Sequence, residues 1–166
     1  MKQIIKLRKL KKSDLPFFLK WWKDEELVKL TSGIYENDDE ILKEYFFNML
    51  DSKKDSHYVI QYNSKVVGNI SLTHKNKNTF EMHIAIGEKQ YWGRGIGAIS
   101  IKKILKNAFT KLGYAKACIE VRPDNKRAIE LYEFCGFKKI GLKEYPQNKY
   151  QRIVLKMALM KENFIA

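Results

Sequence analysis

Apolar and polar positions alternate from Ile4 to Lys9, which predicts an opening strand. Ser13 then precedes Leu15, Pro16, Phe17, Phe18, Leu19, Trp21 and Trp22, a helix with a capping residue and a proline in its first turn. Ile41, Leu42, Tyr45, Phe46 and Met49 recur at helical spacing within 38–51 and predict a second helix. The period then falls to two. Segments 57–62 and 65–72 flank Asn63-Ser64 as a hairpin, and after the polar turn 75–78 a third strand runs from Thr79 to Ile86. Three consecutive strands of this kind predict an antiparallel meander.

Past a glycine-rich segment, Ala98, Ile101, Ile104, Leu105, Ala108, Phe109 and Leu112 mark the clearest helix, which Gly113 stops. Ala115 to Val121 has the pattern of a buried strand. Residues 125–135 form a helix capped by Asp124 or Asn125 and ended by Gly136, and 138–145 and 150–160 close the chain as strands. This order predicts one α+β domain over 1–166, with a mixed, mostly antiparallel sheet of six or seven strands flanked by about four helices. No repeat, low-complexity tract or linker divides it.

At 166 residues the chain can bury a core without metals or disulfides. No apolar run approaches the ~20 residues of a membrane span, and Met1 to Arg8 lacks the apolar centre of a signal peptide. Cys118 and Cys135 are too few for a disulfide scaffold or a four-cysteine zinc site, and the expected compartment is the cytoplasm. No histidine pair has metal-ligand spacing, so no metal is expected.

Charge adds a constraint. Lys plus Arg total 32 against 19 Asp plus Glu, a net +13, and only five of the basic residues are arginine. That field favours an anionic partner: a phosphorylated cofactor, RNA or an acidic protein surface. It disfavours a free polycation unless a local acidic pocket overrules it. A solvated lysine-rich surface without a partner explains the same composition.

Gly93-Arg94-Gly95-Ile96-Gly97-Ala98 lies between a strand and a helix. The first turn of a helix offers free N–H groups and a partial positive charge. Glycines let a pyrophosphate approach that backbone, and Arg94 adds a charge-assisted contact. The bland alternative is a turn that needs positive φ; three glycines so spaced arise by chance in roughly one chain of this length in twenty. The residues also fit a dinucleotide fingerprint, with Glu120 standing 22 residues beyond Ala98. Against it, a dinucleotide fold needs the glycines tight after a first parallel strand and more βαβ units behind.

The segment from Ile119 to Phe137 is decisive. Its strand, Asn125, Ala128-Ile129-Glu130-Leu131-Tyr132 and Gly136-Phe137 resemble the second signature of the GNAT superfamily of acyl-CoA-dependent N-acyltransferases. The loop at 92–98, following Ile84-Ala85-Ile86, is similar to the first signature. Trp92 stands where the family often has Gln or Arg, and there the chain looks like the branch of ribosomal-protein N-terminal acetyltransferases.

The resemblance implies a sheet splayed between the strands 79–86 and 115–121, and transfer of an acetyl group from acetyl-CoA straight to an amine. It implies that the 84–86 backbone holds the thioester oxygen, that Asn125 bonds the pantetheine arm and that Tyr132 gives a proton to the departing thiolate. Glu120 and Glu81 match positions where members carry a base, and His83, on one strand face with Glu81 and Ala85, is a weaker third candidate. His57 and His74 have no such placement, and Cys135 reads as a small core residue. The acceptor is expected to be a small-molecule amine or a protein N-terminus, taken by a monomer or homodimer. No DNA-binding motif is present. Of Trp21 and Trp22, one is expected to line the acceptor cleft, while Asp24-Glu25-Glu26 and the acids from Glu36 to Glu40 read as solvated helix ends. The competing function is a non-catalytic RNA- or ribosome-binding protein on the same fold, although no RNA-binding signature is present.

Overall fold

The computed structural model describes residues 4–31 and 38–166; Met1 to Gln3, Tyr35 and Glu36, named above, lie outside the described residues. Seven strands form one sheet: β1 (Ile5–Lys9), β2 (Asp55–Tyr62), β3 (Lys65–Asn76), β4 (Thr79–Ala85), β5 (Lys116–Val121), β6 (Lys138–Glu144) and β7 (Ile153–Met160). Their order is β1-β2-β3-β4-β5-β7-β6, and β4–β5 is the parallel pair in an otherwise antiparallel sheet. The hairpin turn sits at Asn63 and Ser64, with φ of +47° and +69°, the left-handed pair that matches strand twist. β3 continues to Asn76, so the next turn is shorter than the sequence suggested.

Among the described residues five α-helices accompany the sheet, one more than expected: α1 (Leu15–Trp22), α2 (Glu25–Leu30), α3 (Asp39–Asp51), α4 (Ile96–Thr110) and α5 (Lys126–Phe134). The extra one arises at Asp24. Its backbone is extended there, and its carboxylate accepts the Glu26 and Leu27 amides at 3.1 Å each, restarting a helix by capping it. Ser13 does not cap α1; it lies inside a 3₁₀ turn, Lys12–Asp14. Asp14, almost fully buried, instead takes both prongs of Arg8 at 2.6 and 2.8 Å. That fork tethers the start of α1 to β1.

Adjacent residues of β2 report the two faces of the sheet. Ile60 joins a core with Ile96, Ile101, Leu105 and Phe109 of α4 and Tyr132 of α5. Val59 joins a second core with Phe18 and Trp21 of α1, Leu27 of α2 and Phe46 of α3. Helices thus cover both faces, and β4 and β5 run through the middle.

These two strands pair only at Thr79–Lys116, Phe80–Ala117 and Glu81–Cys118, though β4 continues to Ala85 and β5 to Val121. Beyond that point they part. The divergence opens a cleft of about 960 Å³, the upper end of the usual range for small-molecule sites.

Candidate active site

One end of the cleft is built by the glycine loop. Gly93 and Gly95 have φ of +75° and +73°, a conformation cheap only for glycine. A side chain at either would meet no neighbour within 4 Å, so their backbone faces open space. The first α4 hydrogen bond runs from Ile99 N–H to Gly95 O at 3.1 Å. Earlier amides of that turn have no intrahelical acceptor and suit an anion.

Trp92 ties this loop to the segment just past β4. Its indole N–H donates to Ile86 O at 2.7 Å, and the Arg127 guanidinium lies 4.1 Å from a ring centroid of the indole. Arg94 sits 5.4 Å from the Tyr91 ring. Three of the five arginines (Arg94, Arg122 and Arg127) line the cleft. Arg122 is forked onto Asp124 at 3.0 and 2.9 Å, so Arg94 and Arg127 are the ones that make the end beside the glycine loop basic and suited to an anion. Sequence reasoning found Arg94 from its loop but missed Arg127, because nothing in the spacing reveals that α5 crosses Trp92.

Tyr132 and Asn125 both line the cleft. Tyr132 is buried, packs edge-on against Phe137 at 5.9 Å, and burial pushes its hydroxyl above the ordinary phenol range. It therefore holds its proton at neutral pH. Asn125 caps α5 by accepting the Ala128 amide at 3.2 Å, and its Nδ2 donates to Leu30 O at 2.9 Å. A bound arm would draw on the second lone pair of Oδ1.

The predicted carboxylates share one face of the sheet, by alternation from the Glu81–Cys118 pair. Glu120 reaches the cleft. Tyr145 O–H donates to its two oxygens at 2.9 and 2.7 Å, and Lys143 Nζ lies at 3.3 Å. Glu81 is not among the lining residues. It pairs with His83 Nε2 at 3.0 Å and Lys75 Nζ at 3.1 Å, and His83 is the one that enters the cleft. The His83 hydrogen bond, against the cost of burial and with help from Lys75, holds the Glu81 carboxyl down at about 2.

Both Trp21 and Trp22 line the cleft, where one was expected. Trp21 N–H donates to Glu88 at 2.9 Å, and its ring occupies the space a side chain at Gly87 would need, 2.3 Å away. Asp24 and Glu26, acids just past Trp22 in the sequence, both pair with Lys89, at 2.9 and 2.6 Å. Burial raises the Cys135 thiol to about 11, so it stays protonated.

A parted parallel pair, free amides at a glycine-rich helix start and a buried phenol at the cleft are the arrangement the sequence resemblance implied. Residues 5–138 match the acetyltransferase (GNAT) domain model, and the chain belongs to that family. Its enzymatic class is acetyl-CoA-dependent acetyl transfer to an amine.

It is 25% identical to spermidine N(1)-acetyltransferase of Vibrio cholerae, over 99% of this chain and 98% of that one. A stretch of 74 residues, 45% of this chain and 42% of that one, is 34% identical to the N-alpha-acetyltransferase RimI of Mycobacterium tuberculosis. An uncharacterized Methanocaldococcus jannaschii protein is 38% identical over 73 residues, 44% of this chain but only 15% of its own length. Among solved structures, Vibrio cholerae spermidine N-acetyltransferase in complex with CoA and spermine superposes with a TM-score of 0.83 over 96% of each chain. At 22% identity that likeness is one of fold. Among the described residues no helix is long and apolar enough to cross a membrane.

Proposed function

We propose that this chain acetylates a primary amine, of a small molecule or a protein N-terminus, in a ternary complex within the cytoplasm. The opening of the sheet beyond Glu81 and Cys118 carries the reading, because it gives donor and acceptor one continuous channel. Acetyl-CoA supplies an acetyl group activated as a thioester. The 84–86 backbone and the 93–98 loop with Arg94 hold and orient it, with Asn125 alongside. Tyr132, kept protonated by burial, stands as the acid for a leaving thiolate.

An alkyl ammonium, with a pKa near that of lysine (~10.4), must lose a proton before it can attack. Glu120, in the cleft, and the Glu81–His83 pair, which enters it through His83, are the groups placed to serve this loss. Asp24 and Glu26 are engaged by Lys89, and the net charge is +13. Both features favour a monoamine over a long polycation. The polyamine named for the Vibrio cholerae relatives is the comparison substrate.

Two measurements test this reading. Acetyl-CoA at 100 times its Kd should raise unfolding stability by ~2.7 kcal/mol. Thiol release should appear with one member of a panel of amines and peptides that includes spermidine. Absence of both would favour the RNA- or ribosome-binding alternative, and retention on RNA would then support it.

A further inference from the structure

Three consecutive strands place His57, Ser71 and His83 opposite one another, His57 with Ser71 and Ser71 with His83. All three line the cleft. His83 follows Glu81, the last β4 residue paired to β5, by two positions, so it shares Glu81's face and stands where the strands have parted. Its side chain is 47% exposed, while that of Glu81 behind it is 14% exposed. The imidazole therefore touches the channel with one edge and the carboxylate with the other.

We propose that His83 Nδ1 is the atom that takes the proton from the acceptor amine, and that Glu81 is its positioning residue. This rests on the acetyl-transfer reading above. The bond from Nε2–H to Glu81 Oε1, at 3.0 Å, leaves the lone pair on Nδ1. In the proton step an N–H bond of the ammonium breaks and an Nδ1–H bond forms. The electron pair stays on the amine nitrogen and becomes its nucleophile. The imidazolium then releases the proton to solvent.

The rival carboxylates are otherwise engaged. Glu81, held at about 2 by His83 and then Lys75, has too little affinity for a proton at neutral pH. Glu120 already accepts from Tyr145 at both oxygens and lies beside Lys143.

The charged neighbours of His83 are few among the described residues. β2 contributes His57, whose pKa is lowered chiefly by burial, against the pull of Asp55 and with the charge of His83 adding to it. β3 contributes Lys75, bound to Glu81. β5 contributes Cys118, raised chiefly by burial, and Glu120. The helices over this face contribute Trp21, Trp22 and Met49 to the wall, and Glu26, paired with Lys89.

The test is His83→Ala in the full chain. It should fold, with a melting temperature lowered only by loss of the Glu81 contact, and its affinity for CoA should match the wild type. Turnover at neutral pH should fall ~100-fold, the acid-side limb of kcat/KM should move up to the ionisation of the amine itself, and added imidazole should restore at least ~10-fold. A variant as active as the wild type, or a loss that imidazole does not relieve, overturns the assignment. Carboxyl NMR without acetyl-CoA gives an independent readout. The Glu81 midpoint should rise from about 2 in His83→Ala, and an unmoved midpoint also overturns the pairing. Should the wild type acetylate no amine, the functional reading fails, while the NMR titration still decides the His83–Glu81 couple. Should His83→Ala fail to fold, His83→Gln takes its place, read by turnover and by the acid-side limb of kcat/KM; full turnover or an unmoved limb overturns the assignment.

Discussion

The Asn125 carboxamide donates to the Leu30 carbonyl at 2.9 Å, a bond between residues 95 positions apart. It joins the end of α2 to the cap of α5 across the cleft. The same side chain caps α5. Asn125→Ala therefore removes a cap and a tether together, and should cost about 1–2 kcal/mol of stability. Asn125→Asp keeps the cap and loses the donor. Urea denaturation of the two variants separates the contributions: the aspartate should recover the larger share.

Tyr132→Phe removes one hydroxyl from a buried ring whose packing against Phe137 remains. Turnover should fall by a factor of ~100, while affinity for acetyl-CoA, read by calorimetry, stays within about two-fold. A fully active variant would remove the tyrosine from the acid role.

Gly95→Ala places a side chain at φ +73°. No atom blocks it, so the cost is backbone strain, about 1–2 kcal/mol. A loop that relaxes from this conformation no longer presents its amides to a phosphate. The thermal shift with acetyl-CoA should shrink well beyond what the lower starting stability explains.

Glu81 is a stability group with a definite pH signature. Its folded-state pKa lies below its free value, about 2 against 4.5, so its contribution is complete above pH ~5 and disappears as pH falls through 2. At ~1.4 kcal/mol per unit the upper bound is ~3 kcal/mol, and screening at half-exposed Lys75 reduces it. Glu81→Gln should be less stable than the wild type at pH 7, and the difference should close by pH 2. Denaturant midpoints at the two pH values measure it.

Much of the architecture was legible in the pattern. The alternation of β2 and β3, the heavy apolar stripe of α4 and the glycines ending α4 and α5 fall where local preference and burial agree. Ser13 misled because its neighbour Asp14 answers to Arg8, a partner that no local rule identifies. α2 escaped notice because six residues carry too few turns for a period to show, and only the Asp24 cap marks its start.

Sequence alone determined the family, the glycine loop and the residue types of the site, because glycine spacing, strand alternation and the Asn125–Tyr132 run are local properties of the chain. Folding decided which of those groups can act. Whether β4 and β5 stay paired beyond Glu81, whether Glu120 is engaged by Tyr145 and Lys143, and whether Glu81 reaches the cleft directly or through His83 depend on strand register and on side chains from distant segments. Proton affinity is set by such neighbours and by burial, and these exist only once the sheet has formed.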